Sequence, residues 1–325
     1  MLRDEEQGTA MVATCKFGIG LPNGFPRSAV NSTQYLEVAE RAEAYGYDSV
    51  WGGDHIVFHI PRFEIFTTLA AVAARTTRIQ LGPAVLLLCL RNPVHVAQSV
   101  ATLDHISGGR FVLGVGVGGE HPKEFMASGV PVNQRGPRTN EALEVLRRLW
   151  TGEPTSFAGK YYRFDEIAIL PPPFQKPHPP IWIGGRSEAA LKRTAKYGQA
   201  WAPAFVTPEK FQEGRIRLAE YCREYGRNPK EVQPTVYFFA NVGTSRGAAW
   251  AEAGEFLSKN YNIPAAPFAR LAVYGTPAEC IAHTRRFIEA GAEHVVVRFA
   301  SADPLQQLDR WTNEVMPAFW GTRET

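Results

Sequence analysis

The sequence predicts an α/β protein that folds as a single (β/α)8 barrel, or TIM barrel, with insertions. Strand-like and helix-like segments alternate along nearly all of its 325 residues, and the strand-like segments are almost continuously apolar. Strands that are apolar on both faces are typical of parallel sheets covered by helices. Eight strand–helix units with some insertions account for a chain of this length, and no change in composition marks a second domain.

Each predicted strand is a short apolar run that ends at a turn or a glycine. The first precedes a loop rich in Pro, Gly and Asn, and the third contains the longest apolar run of the chain, Pro83–Leu90. The expected strands are Lys16–Leu21, Asp48–Trp51, Ile79–Leu90, Phe111–Val117, Ile181–Ile183, a short one at Trp201, Thr235–Val242 and His294–Phe299.

Between the strands, apolar residues recur at helical spacing, and helix signals stand at the segment ends. Gly46 ends the first helix, and the segment Thr276–Glu279 is a capping box with proline at the first helical position. The expected helices are Thr33–Tyr45, Phe63–Arg75, Val94–Ile106, Thr139–Leu149, Glu188–Tyr197, Pro208–Tyr225, one that starts at Ala248, Pro277–Ala290 and a last one that ends at Phe319.

Two stretches are longer than a strand–helix unit requires. Phe157–Pro180 alternates apolar and polar residues before a cluster of prolines, which predicts a hairpin. Ser258–Val273 has no clear period and is a candidate lid. Residues 1–15 are expected to form a flexible extension, and residues 16–325 a single barrel domain.

Composition and charge exclude several classes of function. A total of 35 Lys and Arg against 32 Asp and Glu gives a net charge of only +3, so nucleic acid is not an expected partner. No apolar run approaches the roughly 20 residues that a membrane-spanning helix needs. The four cysteines are widely spaced and match no zinc pattern, so we expect a cytoplasmic protein without disulfides or a metal site.

In a barrel of this kind the site lies at the carboxyl ends of the strands, so the residues after each strand matter most. Asp54 and His55 follow the second strand, behind two glycines. A carboxylate beside an imidazole can orient it and keep it ready for proton transfer near neutral pH. The plainer alternative is that Asp54 caps a helix and His55 is a surface residue.

The fourth strand ends in a glycine run, Gly114–Gly119. It matches the GxGxxG pattern of dinucleotide-binding folds, but no helix begins there and no acidic residue ends the next strand. We therefore expect Gly118 and Gly119 to let a flat ligand approach the strand end closely.

A second glycine pair follows the fifth strand, in the segment Gly184, Gly185, Arg186 and Ser187, and opens a helix. The free N–H groups of a helix N-terminus, its dipole and a cationic Arg186 together favour a phosphate. The simpler alternative is that Ser187 only caps the helix.

These segments resemble the bacterial luciferase-like superfamily, from about Lys16 to Phe319. The likeness is carried by WGGDH after strand two, by strand three and the SGGR turn, by the strand-four glycines and by IGGRSE. It implies a (β/α)8 barrel that binds FMN or the deazaflavin coenzyme F420. The ring would lie against a bulge in strand three, with a non-prolyl cis peptide near Ala84–Val85, and the phosphate would lie at Gly184–Ser187.

Between the two cofactors the resemblance favours F420. The deazaflavin dehydrogenases of the superfamily have an Asp-His pair after strand two, matched by Asp54 and His55, and a Glu after strand four. Glu120 matches that Glu, although the glycine run is one residue longer here. Because F420 carries hydride only, the site needs a proton donor or acceptor beside it. His55 would take that part, with Asp54 or Glu120 setting its charge.

Two alternatives stay open. An FMN-dependent monooxygenase would react reduced flavin, supplied by a separate flavin reductase, with oxygen in a dry pocket, and the same residues permit this. A non-catalytic partner subunit is disfavoured by the intact Gly118, Gly184, Gly185 and Arg186. The expected partner is a small-molecule substrate, and the resemblance implies a homodimer.

Overall fold

The computed structural model describes residues 15–24, 31–119 and 121–320. The expected N-terminal extension lies outside them except for Cys15. The strands are β1 Lys16–Gly20, β2 Ser49–Gly52, β3 Gln80–Pro83, β4 Leu86–Leu87, β5 Leu113–Gly116, β6 Thr155–Ala158, β7 Arg163–Ile167, β8 Ile181–Gly184, β9 Ala200–Ala202, β10 Gln233–Val242, β11 Val273–Gly275 and β12 His294–Phe299. The helices are α1 Ser32–Ala44, α2 Ile65–Arg75, α3 Pro93–Ile106, α4 Pro122–Ala127, α5 Arg135–Leu149, α6 Glu188–Tyr197, α7 Pro208–Glu224, α8 Arg246–Tyr261, α9 Pro277–Glu289, α10 Pro304–Glu314 and α11 Pro317–Trp320.

Parallel strands form the central ring in the order β3-β2-β1-β12-β10-β9-β8-β5, with β4 beside β5 and β11 beside β10. A parallel bridge between Leu81 and Phe111 joins the two ends of this sheet. There the Leu81 carbonyl accepts a hydrogen bond from the Val112 N–H at 2.9 Å. The ring is therefore a (β/α)8 barrel, and the predicted fold class is confirmed.

The third strand differs from its prediction, which ran from Ile79 to Leu90. It pairs with β2 only as far as Pro83, and a cis peptide bond then joins Ala84 to Val85. The chain next pairs with β5 as β4 and ends in a 3-10 turn, Leu88–Leu90. An apolar run has the same pattern in a buried strand and in a buried turn, so periodicity alone could not place this break.

Of the two insertions, the first is confirmed as a hairpin, because β6 and β7 pair antiparallel. The candidate lid divides into the last turn of α8, a 3-10 turn at Ala266–Phe268 and the start of β11, which pairs with β10. Its motion as a lid stays a prediction. Helix α4 was missed, since six residues are too short to show helical periodicity.

The helix caps follow the sequence signals. Thr276 and Glu279 form the expected capping box, in which the Thr276 N–H donates to Glu279 Oε2 at 2.8 Å. In the described part of the chain, no helix is both long and apolar enough to cross a membrane.

Alternation along the strands sorts the side chains into two environments. On β12, Val295 and Val297 join the large apolar cluster that also contains residues of the surrounding helices. His294 and Val296 instead contact tryptophans inside the ring, and Arg298 lines the open end of the ring. The interior is thus filled at one end and polar at the carboxyl ends of the strands.

Candidate active site

A cavity of about 340 Å³ opens at the carboxyl ends of the barrel strands, and we call it the central cavity. It is the place where catalytic sites of such barrels lie. Most of the residues predicted from the sequence line it, namely Asp54, His55, Ala84, Val85, Gly118, Gly184, Gly185, Arg186 and Ser187. Gly119 is not among the lining residues, and Glu120 lies outside the described residues.

His55 is held by Glu124 of helix α4 rather than by its neighbour Asp54. The imidazole Nδ1 lies 3.2 Å from Glu124 Oε2, and the Glu124 side chain is fully buried. The ring also stacks on Phe58, with 3.9 Å between ring centroids. Since Glu124 engages Nδ1, Nε2 is the nitrogen that can exchange a proton with a molecule in the cavity. No local pattern marks Glu124 as a partner of His55, because the two lie 69 positions apart and α4 is too short to show helical periodicity.

Asp54 has a different set of contacts from those expected. Arg91 donates to both carboxylate oxygens, at 2.7 and 2.8 Å, and the Leu87 N–H donates to Oδ2 at 2.9 Å. Burial raises the pKa of Asp54 above its ordinary value, and the Arg91 guanidinium opposes that rise. These bonds fix the chain after the Ala84–Val85 bulge. Asp54 and His55 are not hydrogen-bonded to each other, so the expected influence of Asp54 on the charge of His55 stays a prediction.

The cis peptide expected near Ala84–Val85 is present, and the glycines around it have a clear packing role. A Cβ at Gly116 would overlap Val85 Cγ2, and one at Gly184 would lie 2.8 Å from Val85 Cγ1. Both glycines therefore make room for Val85, which projects between β5 and β8. The bulge therefore requires glycine at both positions, whether or not a ligand is bound.

Gly118 has a backbone reason to be glycine in addition to the expected approach of a flat ligand, which stays a prediction. Its φ is +61°, a conformation that favours glycine, and a Cβ would lie 3.0 Å from Leu87 Cδ2. A branched residue at this position would strain the backbone with or without a ligand.

The loop Gly184–Ser187 connects β8 to helix α6 at the cavity edge. Ser187 caps the helix, because its hydroxyl accepts from the Ala190 N–H at 3.3 Å. Arg186 is exposed and donates from Nη1 to the Phe205 carbonyl at 2.6 Å. The Ala190 and Leu191 N–H groups both donate to the Ser187 carbonyl. The N–H groups of Glu188 and Ala189, at the start of the helix, have no carbonyl partner within it, which suits an anion.

The opposite wall contains Asn23, at the end of β1, and polar residues that were not predicted: Arg62, Tyr237, Asn260, Tyr261 and Arg298. One signal was present, since Arg298 is a lone charge within the apolar strand β12. Arg62 lies in a loop and had no comparable signal. Among the described residues, no cluster of three His, Cys, Asp or Glu side chains could hold a metal ion.

Comparison with known proteins supports the assignment of the fold and the family. Residues 15–294 match the family model of the luciferase-like monooxygenases. The chain is 29% identical over 315 residues to the F420-dependent glucose-6-phosphate dehydrogenase of Amycolatopsis mediterranei (strain U-32), covering 87% of this chain and 93% of that protein.

Two solved structures share the fold. One is an F420-dependent secondary alcohol dehydrogenase in complex with an F420-acetone adduct, with a TM-score of 0.82, 23% identity and coverage of 94% of this chain and 99% of that one. The other is the monooxygenase RslO1 from Streptomyces bottropensis, with a TM-score of 0.79, 24% identity and coverage of 93% and 99%. The resemblance seen in the motifs is thereby confirmed: the protein belongs to the luciferase-like monooxygenase family of enzymes.

Proposed function

We propose that this protein is an oxidoreductase that uses coenzyme F420 to transfer hydride to or from a small organic substrate. The observation that carries the proposal is the His55–Glu124 pair in the wall of the central cavity. A buried carboxylate behind an imidazole suits a reaction in which a proton moves together with a hydride. The likeness to the F420-dependent dehydrogenase of Amycolatopsis mediterranei supports the same choice.

The residues of the cavity fit this cofactor. Its phosphate would lie at Gly184–Ser187, where Arg186 and the first-turn N–H groups of α6 favour an anion. Its ring would lie against the Ala84–Val85 bulge, where glycines of β5 and β8 leave the strand ends bare of other side chains. When bound, F420 would supply a carrier for two electrons as hydride.

The side chains of this protein would manage the proton. His55 Nε2 takes the hydroxyl proton when an alcohol is oxidised and returns it when a carbonyl is reduced. Glu124 holds the ring through Nδ1 and balances the positive charge that forms on the imidazole. The Asp54–Arg91 pair acts indirectly, because it holds Leu87 and the bulge in place.

The first prediction tests cofactor and proton transfer together. Titration with F420 and with FMN, each oxidised and reduced, should show tight binding of F420. Anaerobic assays with secondary alcohols and sugar phosphates should then show loss of the deazaflavin absorbance. His55→Ala should lower turnover by about 10²–10⁴-fold while the Kd for F420 stays within a few-fold, because phosphate and ring contacts lie on other strands.

Arg186→Gln is the matched control in these titrations. It should weaken F420 binding several-fold, since it removes the cation at the phosphate loop. Turnover only with reduced FMN and oxygen would refute the F420 assignment and favour the monooxygenase alternative. The homodimer, and the flavin reductase that an FMN enzyme would need, stay predictions.

A further inference from the structure

Two arginines lie in the wall of the central cavity away from the Gly184–Ser187 loop, which we call the phosphate loop. Arg298 is on β12, and Arg62 is in the loop after β2, beside Asn23 at the end of β1. In the ring order, β12, β1 and β2 are consecutive, and β8 stands four strands from β1. The two arginines therefore face the Gly184–Ser187 loop across the barrel.

The hydrogen-bond partners of Arg62 are neutral groups. Its Nη1 donates to Asn23 Oδ1 at 3.2 Å and its Nη2 to Asn260 Oδ1 at 3.3 Å, and its Nε is buried without a hydrogen-bond partner. The guanidinium also lies 4.6 Å from the centroid of the Phe58 ring. Burial lowers the pKa of Arg62 to about 10, and the positive charge of Arg298 adds to that effect.

Arg298 is 6% exposed and donates from Nη1 to the Gly20 carbonyl at 3.1 Å. Burial lowers its pKa as well. The fold makes room for it at Gly20, where a Cβ would lie 2.8 Å from both Arg298 Cβ and the Tyr237 hydroxyl. Glycine at position 20 therefore leaves space inside the barrel for the side chains of Arg298 and Tyr237, which line the cavity.

Neither cation has a carboxylate partner among the described residues. The ion pairs there do not include Arg62 or Arg298, and the nearby Asp54 carboxylate is already bound on both oxygens by Arg91. Buried charges without a counter-ion are costly, and they are found where a ligand supplies the opposite charge. Guanidinium groups are well suited to carboxylates and phosphates.

We propose that Arg62 and Arg298 bind an anionic group of the substrate, either a carboxylate or a phosphate ester. This inference rests on the proposed function only in taking the occupant of the cavity to be a hydride-transfer substrate. His55 and Arg62 both follow β2, so a substrate anchored on the arginines would have its reactive carbon near the imidazole. The cofactor phosphate would lie on the far side, at Arg186.

The test measures binding of inorganic phosphate to the protein without cofactor, by calorimetry. The Arg186→Gln variant serves as the background, because it removes the cation of the phosphate loop. Phosphate should still bind to it, and adding Arg62→Gln should weaken that binding about 10-fold or more. Arg62→Lys, which keeps the charge, should restore part of it. Arg298→Gln should also weaken phosphate binding. If the Arg298→Gln variant does not fold, the Arg62→Gln variant alone provides the test.

Several outcomes would overturn the inference. One is the loss of all phosphate binding in the Arg186→Gln variant. Another is phosphate binding that is equally tight in Arg186→Gln with and without Arg62→Gln. Displacement of the Arg62-dependent phosphate by added F420 or FMN would assign the subsite to the cofactor instead of the substrate. No step of this test uses turnover, so failure to bind F420 would count against the proposed function while leaving this result readable.

Discussion

At the scale of single residues, the imidazole of His55 is fixed from two sides. Glu124 holds Nδ1, and Phe58 packs against the ring face. A carboxylate in this position selects the tautomer with the proton on Nδ1 and leaves Nε2 able to accept one. Glu124 therefore acts through His55, as a positioning residue that supplies both a hydrogen-bond acceptor and a negative charge beside the ring.

Glu124→Gln separates these two effects. The amide oxygen can still accept a hydrogen bond from Nδ1, but the negative charge is gone. Hydrogen bonds to charged groups are worth about 1 kcal/mol more than neutral ones, so turnover should fall about 5-fold while the Kd for F420 is unchanged. Steady-state kinetics and cofactor titration of the same preparation check this.

Glu124→Ala provides the comparison, since it removes both the charge and the acceptor. Its turnover should fall further than that of Glu124→Gln, toward the value for His55→Ala. Equal turnover in the wild type and Glu124→Gln would show that the carboxylate charge has no part in the reaction.

At the scale of elements, the bulge after β3 depends on glycines in two other strands. Gly116→Ala would place a methyl group against Val85 Cγ2, in an enclosed region between β5 and the bulge. We expect a loss of about 1–3 kcal/mol in the free energy of unfolding, the usual cost of overpacking. Urea denaturation of the variant measures it.

The matched control is Gly247→Ala in helix α8. An added Cβ there meets nothing within 4 Å, and the position is helical. Alanine should stabilise the protein by about 0.5–1 kcal/mol, since it lowers the entropy of the unfolded chain. A Gly116→Ala protein as stable as the wild type would show that Val85 can move aside.

The elements also show what local sequence could and could not predict. The barrel strands, the helices around them and the hairpin β6–β7 follow from apolar periodicity and turn signals. The break at Ala84–Val85 was expected only from the resemblance, because an apolar run has no local mark where a strand ends. The His55–Glu124 and Arg62–Asn260 pairs join residues distant in sequence, so only the folded chain shows them.

At the scale of the whole molecule, the end of the barrel away from the cavity is closed by a buried polar group. His294 Nε2 lies 2.8 Å from Ser49 Oγ, and its Nδ1 has no hydrogen-bond partner. The rings of Trp182 and His294 pack in a T-shaped arrangement, with 5.1 Å between their centroids. Burial lowers the pKa of His294 from 6.5 to about 3, and the charge of Lys16 adds to the effect. The folded barrel therefore holds this histidine neutral.

Because the folded barrel holds His294 neutral, we expect the free energy of unfolding to depend on pH. Between pH 6.5 and pH 3 the unfolded chain protonates His294 and the folded chain does not, so the unfolded state binds one more proton. The free energy of unfolding should then fall as pH falls, by about 2 kcal/mol between pH 7 and pH 5 from this residue alone.

Urea denaturation at both pH values should show a smaller fall in the free energy of unfolding for His294→Gln, whose amide can still bond Ser49 but does not titrate. The other ionisable groups titrate alike in both proteins, so the difference between the two falls isolates His294. Equal falls in the two proteins would mean that the folded barrel admits a proton at His294.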